Sequence, residues 1–319
     1  MTNWQPSASL EMLRNRARML QGIRAFFDLR GVMEVGTPLL SRAAVTDPQI
    51  ESVSATVLGE TRYLHTSPEF AMKRLLAAGS GDIYYLGPVF RDGERGRRHA
   101  TEFTMAEWYR LGFDVEALMN EVEALLMQLA HPHRRLQPAT RLSYREAFLR
   151  YAGLDPLAAR DEELAIAARD RGLEVTGEMG RDDWLDLLIS TVVAPQFPDD
   201  RLTFIYDYPA SQAALARVVE GPGGNVARRF EAYLGELELA NGFHELAAAD
   251  EQRARFQADL ARRRERGQAA VPMDEHLIEA LAAGLPDCAG VSVGVDRLLM
   301  AVSGVTDISD VQCFGPGSA

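Results

Sequence analysis

The sequence predicts an α+β fold, an antiparallel β-sheet flanked by helices, on three observations. Residues 84–110 and 230–245 each read as two strands of opposite direction joined by a short connection. Residues 10–27 carry apolar residues at helical spacing, residues 112–130 show a helical pattern, and helices are read over a heavily charged 250–266 and over 274–283. Residues 284–300 then read as a strand, a glycine turn and a helix.

Composition narrows the possible partners. A chain of 319 residues with 47% apolar content can bury a large core, as one big or two modest domains. The net charge of −12 and pI near 5.1 argue against a broad electrostatic grip on RNA, because phosphate binding draws on Lys and Arg clusters; a tRNA partner is disfavoured. Cys288 and Cys313 have no CxxC spacing and no signal peptide precedes them, so a reduced, cytoplasmic protein is expected. No apolar run is long enough to span a bilayer, and no internal repeat is present.

Along the chain, polar residues 1–9 precede a helix carried by Leu10, Leu13, Ala17, Leu20, Ile23 and Phe27. Gly31 stops it, and Val32 to Leu40 reads as a strand entering Pro38. Ser41 to Glu60 is a loop with a short strand, and Tyr63–Thr66 leads into a second helix. There Ser67 can cap, Pro68 suits the first helical position, and Glu69 meets the positive end of the helix dipole; on local evidence Glu69 only stabilises the helix.

Tyr84–Phe90 delivers Arg91 to a loop, Asp92–His99, too rich in glycine and charge to continue a sheet. The return strand Thr101–Arg110 places Phe103, Met105, Glu107 and Tyr109 on one face by alternation. An aromatic plate, a carboxylate and a phenol beside four arginines and a histidine suit a planar base, a polyphosphate and a cationic substrate. An amphipathic hairpin with a solvated loop shows the same pattern.

A helix ends at His131–Arg135, where two histidines flank Pro132 with no third ligand, so no metal site is expected. Residues 140–200 read as several short helices with Trp184, Leu185, Leu187, Leu188 and Ile189 in their core, and Leu202–Pro209 as a strand. Phe230–Tyr233 and Glu236–Glu245 read as paired strands, with Asn241, Phe243 and Glu245 on one face and Gly242 marking a bulge or a close backbone approach. Glu231 and Glu238 alone would be a solvated edge. The helix from Asp250 to about Arg266 is heavily charged and expected on the surface, and a second covers Asp274–Ala283. Gly294 lets backbone approach closely, and Arg297 opens the last helix.

Phe90-Arg91, the loop ending Arg98-His99, and Glu102-Phe103-Thr104-Met105 with Glu107 and Tyr109 resemble motif 2 of class II aminoacyl-tRNA synthetases in the lysine-specific form, over about 84–110. Arg30-Gly31, Val35 and Pro38-Leu39-Leu40 resemble motif 1, about 22–40, which builds the dimer interface in that class. Gly290–Met300 resembles motif 3, about 288–303. The resemblance implies the class II catalytic core and activation of an amino acid by attack of its carboxylate on the α-phosphorus of ATP. No enzyme nucleophile is then needed; positioning and charge neutralisation supply the rate.

It further implies Arg91 and Arg297 as the catalytic pair, Arg91 on the α-phosphate and Arg297 with His99 on the outer phosphates, since a guanidinium fork matches phosphate oxygens. Phe103 stacks on adenine, and Asp92, Gly93, Ala100, Glu238, Leu239 and Gly294 complete the ATP site. Glu231 and Glu238 supply oxygen ligands to Mg²⁺. Ser67, Pro68, Glu69, Glu107, Tyr109, Asn241, Phe243, Glu245 and Ser292 border the amino acid, with Glu107 and Glu245 suited to a side-chain ammonium.

The chain begins directly at the motif 1 helix, so a single catalytic domain over 1–319 without the OB anticodon-binding domain of lysyl-tRNA synthetases is expected. With Trp4–Ser9, Tyr208–Ala213, Asn241–Leu246 and Pro286-Asp287-Cys288, it resembles the elongation factor P lysyltransferase family. That resemblance spans nearly the whole chain. It implies a homodimer that joins (R)-β-lysine to the ε-amine of one lysine on elongation factor P through an aminoacyl-adenylate. Several positions depart from the family pattern: Gly93 stands where Glu is usual and Glu94 follows it, Ala100-Thr101 replaces Asn-Pro, and Ser292 replaces Gly or Ala. Two other readings stay open, a lysine-type ligase acting on a tRNA or a small-molecule amine, and a non-catalytic dimeric paralogue.

Overall fold

The structure, a computed structural model, describes residues 4–316 apart from 174, 176 and 178. In chain order its main elements are α1 (Leu10–Asp28), β1 (Met33–Glu34), β2 (Leu40–Ser41), β3 (Ser54–Val57), β4 (Glu60–Leu64), α2 (Glu69–Ala77), β5 (Ile83–Phe90) and β6 (Glu102–Leu111). There follow α3 (Val115–Ala130), β7 (Gln137–Ser143), α4 (Tyr144–Ala147), α5 (Asp161–Arg169), α6 (Arg181–Leu188), β8 (Arg201–Pro209), β9 (Val218–Gly221), β10 (Gly224–Leu234) and β11 (Leu237–His244). The last are α7 (Ala249–Glu265), α8 (Glu275–Gly284), β12 (Cys288–Gly294) and α9 (Val295–Ser303). The chain divides into two compact units, Met1–Phe113 with Leu246–Ala319, and Asp114–Glu245.

In the first unit the hairpin β5–β6 runs antiparallel from Ile83 opposite Tyr109 to Phe90 opposite Glu102, and β12 pairs antiparallel with the other edge of β6. The fold is α+β, as expected, and this hairpin also has a parallel neighbour: β1 lies beside β5. The strand expected over Val32–Leu40 is only two two-residue pieces, β1 and β2, the second in a separate small sheet with β4 and β3. Pro38 between them has no N–H to donate, so one ladder cannot run through. α1 starts where the Ser9 hydroxyl accepts the Met12 N–H at 3.1 Å. Its buried stripe is Met19, Ile23, Phe26 and Phe27, whereas Leu10 and Ala17, expected on that stripe, are exposed. Aromatic contact with the sheet comes from the C-terminal end of the helix, where Phe27 stacks on Tyr84 at 4.5 Å and meets Trp108 at 5.1 Å.

The second unit orders its strands β11–β10–β8–β7, with β9 on the free stretch of β10. β7, a strand within the stretch read as helices, pairs parallel with β8. Tyr144, Phe148, Leu164, Leu185, Leu188, Phe197 and Ile205 form its core. Trp184 and Leu187, expected inside, lie partly buried at its edge, while Ile189 belongs to it. A capping box closes the turn from β7 into α4, with Ser143 and Glu146 exchanging side-chain to backbone hydrogen bonds.

Candidate active site

Arg91 stands where the β5–β6 ladder ends, its N–H donating to the Thr101 carbonyl at 2.9 Å. Its guanidinium lies 5.2 Å from the Phe103 ring centroid and 3.4 Å from Glu94, a weak pairing. The Arg91 Nε is buried with no hydrogen-bond partner among the described residues. A half-buried guanidinium with unused donor capacity fits an anion such as phosphate. Gly93, at φ +74°, takes the left-handed turn that carries the loop outward, and its N–H donates to the Asp92 carboxylate at 2.8 Å. Ala100 is buried beside the return strand.

Arg297 near the start of α9 meets His99 at 2.6 Å and donates to the Arg98 carbonyl at 3.3 Å, so the two residues expected on the outer phosphates stand together. Burial, and then the charge of Arg297, hold the His99 imidazole below its usual range. A neutral ring can accept from the guanidinium. A Cβ added at Gly294 would first meet the Arg297 side chain, at 3.8 Å, an ordinary van der Waals contact.

Asp296, the residue before Arg297, is buried and accepts Arg16 Nη1 at 2.5 Å and the Thr104 N–H at 2.6 Å, while Arg16 Nη2 donates to the Thr104 hydroxyl at 2.7 Å. One carboxylate thus ties α1, β6 next to Phe103, and α9 next to Arg297. Replacing Asp296 with alanine strands the Arg16 charge and the Thr104 amide. The expected loss is about 3–5 kcal/mol in urea unfolding of the purified protein.

On the same hairpin, Glu107 is 3% exposed and accepts from Ser67 at 2.7 Å on one carboxylate oxygen and from Tyr109 at 2.9 Å on the other. Ser292 of β12 and Tyr85 of β5 lie opposite Glu107 on the two flanking strands, so all share its face. Burial and the nearby Glu107 charge push the Tyr85 phenol up to about 12. Ser67 also accepts the Glu69 N–H at 3.0 Å, but the helix begins one residue later than expected, with Pro68 in the cap position instead of the first turn. Glu69 pairs at 2.7 Å with Lys73, itself buried. Ser67, Glu107, Tyr109 and Ser292 are therefore brought together, with Pro68 and Glu69 following Ser67 in chain.

In the second unit, Glu231 of β10 lies opposite Asn241 of β11, and Arg229 opposite Phe243. Strand parity alone puts Glu238 on the face opposite to Asn241. The ladder shifts instead between Ala232 and Tyr233, pairing Tyr233 with Glu238 and leaving Leu239 as the extra residue. Glu231, Glu238, Asn241 and Phe243 thereby share one face. The bulge sits at Leu239 and not at Gly242, which stays in regular register with Phe230. Glu245 is buried just beyond β11, and its carbonyl accepts from Arg217 at 2.8 Å.

Arg229 and Tyr233 each donate to one oxygen of Glu231. Arg229 also reaches Asn241 at 3.2 Å and the Gln212 carbonyl at 2.9 Å and lies 4.4 Å from the Tyr208 ring centroid. Burial, and then the Glu231 charge, raise Tyr208 and Tyr233 well above the usual phenol range. No three His, Cys, Asp or Glu among the described residues are grouped to hold a metal. Two carboxylates on one face still fit Mg²⁺, which takes one or two protein carboxylates and fills its other positions from phosphate and water.

The family model of class II tRNA synthetases (D, K and N) matches residues 3–317. An elongation factor P–(R)-β-lysine ligase of Vibrio cholerae is 48% identical over 98% of this chain and 98% of its own length. The ligase so named in Yersinia enterocolitica is 47% identical over 99% and 98%, and that in Pasteurella multocida 46% over 98% and 97%. The chain belongs to the class II tRNA synthetase family.

Within this class II ligase, Glu94 takes up Arg91 where Gly93 offers no side chain. Sequence reasoning missed Lys73, Arg229, Tyr233, Arg16 and Asp296. Lys73 was legible as the i+4 partner of Glu69, and Arg229 and Tyr233 by parity with Glu231. Arg16 and Asp296, 280 positions apart, carry no local signal. No described helix is long and apolar enough to cross a membrane, and Cys288 and Cys313 are free thiols.

Proposed function

We propose that this chain activates (R)-β-lysine with ATP and transfers it to the ε-amine of one lysine on elongation factor P, as a cytoplasmic homodimer whose whole length serves one catalytic domain. The observation that carries this reading is Glu107, a buried carboxylate held by two hydroxyls on the same hairpin that presents Arg91 and His99. A desolvated carboxylate selects a side-chain ammonium strongly, because a neutral side chain leaves it uncompensated. The substrate carboxylate attacks the α-phosphorus and pyrophosphate leaves. The acceptor amine then attacks the acyl carbon, AMP leaves, and the amine loses its proton to water.

In this reading Arg91 stabilises the negative charge that shifts onto the α-phosphate, Arg297 and His99 hold the outer phosphates, and Phe103 offers its ring to adenine. Asp92, Gly93, Ala100, Leu239 and Gly294 present backbone to the nucleotide. Glu231 and Glu238 hold Mg²⁺, which when bound neutralises phosphate charge. Ser67, Pro68, Glu69, Tyr109, Asn241, Phe243, Glu245 and Ser292 border the acyl donor. The Ser292 hydroxyl, opposite Glu107, admits β-lysine and penalises α-lysine.

The test is mass spectrometry of co-expressed elongation factor P with (R)-β-lysine, α-lysine or neither supplied. One lysyl-sized addition on one lysine, only with β-lysine, is expected. Absence of modification while ATP–pyrophosphate exchange persists would show that the acceptor is wrong. Absence of exchange with either amino acid would refute the ligase reading, and equal exchange with both would remove the role given to Ser292.

A further inference from the structure

We infer that Arg263 of α7, remote in sequence from all three motifs, is a positioning residue that sets the entry of the ATP loop through Glu51. The inference rests on the proposed role of Arg91 and deepens it. The helix α7 was expected to lie on the surface because it is so heavily charged, yet Arg263 is 1% exposed. Its neighbours behave as surface arginines do, Arg253 pairing with Glu275, Arg255 with Glu251 and Arg262 with Asp259. A buried guanidinium costs several kcal/mol to desolvate and persists only where its donors are matched.

The matching is concentrated on one segment. Arg263 Nη2 meets both oxygens of Glu51, at 2.7 and 3.0 Å, and Nη1 donates to the Asp47 carbonyl at 3.1 Å. Gln268, just past the helix, adds 2.8 Å bonds to the same Glu51 carboxylate and to the Pro48 carbonyl. Asp259 accepts from the Thr46 hydroxyl at 3.2 Å, and the Pro272 carbonyl accepts the Ala44 N–H at 3.1 Å. The loop 44–51 is thus clamped along its length by α7 and the residues that follow.

The clamp ends on the chemistry. The Glu51 carbonyl accepts the Asp92 N–H at 2.8 Å, an isolated antiparallel bridge outside the named strands. Asp92 directly follows Arg91, and beyond it lies a turn at Gly93. Arg91 is therefore pinned on one side by Thr101, and on the other Phe90 donates to the His65 carbonyl at 3.0 Å before it and Asp92 to Glu51 after it, so Glu51 holds the side that leads into the loop. Loosening 47–51 frees Asp92 and lets the Arg91 guanidinium wander, and a misplacement of about 1 Å can cost on the order of 10²-fold in rate. Glu107, Tyr109 and Ser292 stand on the β6–β12 ladder and do not depend on this clamp.

The test compares Arg263→Gln, Arg263→Lys and Glu51→Gln with the full-length wild type. Expected for Arg263→Gln is an ATP KM raised about tenfold with a lower kcat in pyrophosphate exchange, and an amino-acid KM within about twofold. Arg263→Lys keeps the charge without the fork and recovers part of the loss. Hydrogen exchange should quicken in peptides covering 47–51 and 91–99 but not 102–111. Faster exchange confined to 44–51, or ATP and amino-acid KM rising together, would overturn the inference in favour of a purely structural ion pair. If Arg263→Gln does not fold, Glu51→Gln decides by the same readouts. Should the wild type fail to exchange pyrophosphate with either amino acid, the proposed function fails; Arg263 is then judged on the 91–99 amides and on calorimetric ATP affinity.

Discussion

Replacing Arg91 with alanine lowers ATP–pyrophosphate exchange about 10³-fold at saturating ATP and amino acid, with the melting temperature little changed. The size follows from the step. Charge moves onto the α-phosphate only as the bond to the substrate carboxylate forms, so a donor aimed there acts on the transition state; single donors of this kind contribute about 10²–10³-fold. Stability is nearly unaffected because the side chain is bonded to little else: its contact with Glu94 at 3.4 Å is partly exposed, and such pairs contribute about 1 kcal/mol or less. Arg91→Lys should recover little, since a point charge does not reproduce the planar fork. Exchange kinetics beside a thermal melt check both halves, and an exchange rate within tenfold of wild type would remove Arg91 from the chemistry.

Glu107→Gln is expected to lower kcat/KM for (R)-β-lysine about 10³-fold, equivalent to about 4 kcal/mol, while the KM for ATP stays near its original value. Ser67 and Tyr109 both donate to this carboxylate, one to each oxygen. An amide of the same shape has a single acceptor oxygen, so its NH2 confronts one of the two hydroxyls. The charge that would face a side-chain ammonium is lost as well, in a position too buried for water to replace it. Exchange assays with (R)-β-lysine and with an uncharged isostere measure this: discrimination between them should collapse. Retained discrimination would move the ammonium site elsewhere, to Glu245 or Glu69.

How much was legible differs from place to place for physical reasons. The β5–β6 hairpin and its outward face could be read because alternation along a strand is local. Helix ends were read to within about three residues, since caps and breakers act over one turn: the helix read from Gly112 begins at Val115, and Pro68 and Ser67 shifted by one place. Val32–Leu40 failed as one strand because Pro38 interrupts the ladder and the two pieces on either side pair in different sheets, with neighbours that the residues themselves do not specify. The α7 helix lies largely on the surface, as expected, but the burial of Arg263 within it was not legible, for a related reason. Composition records charge, but whether an arginine is solvated or buried depends on acceptors that come from elsewhere in the chain, here Glu51 and Asp47.

The sequence by itself determined the α+β class, the order of the three motifs and the identity of the groups suited to phosphate and ammonium, because periodicity, turn residues and side-chain chemistry are properties of short stretches. Only the tertiary structure decided which of those groups meet. The shift at Leu239 placed Glu238 on the face of Glu231 and Asn241, against strand parity. Asp296 joined Arg16 to Thr104, and Arg263 was carried to the segment that holds Asp92. For Asp296 and Arg263 the deciding factor is the cost of burying a polar group, which is met by whichever partner the fold brings within hydrogen-bond distance, however far away in sequence.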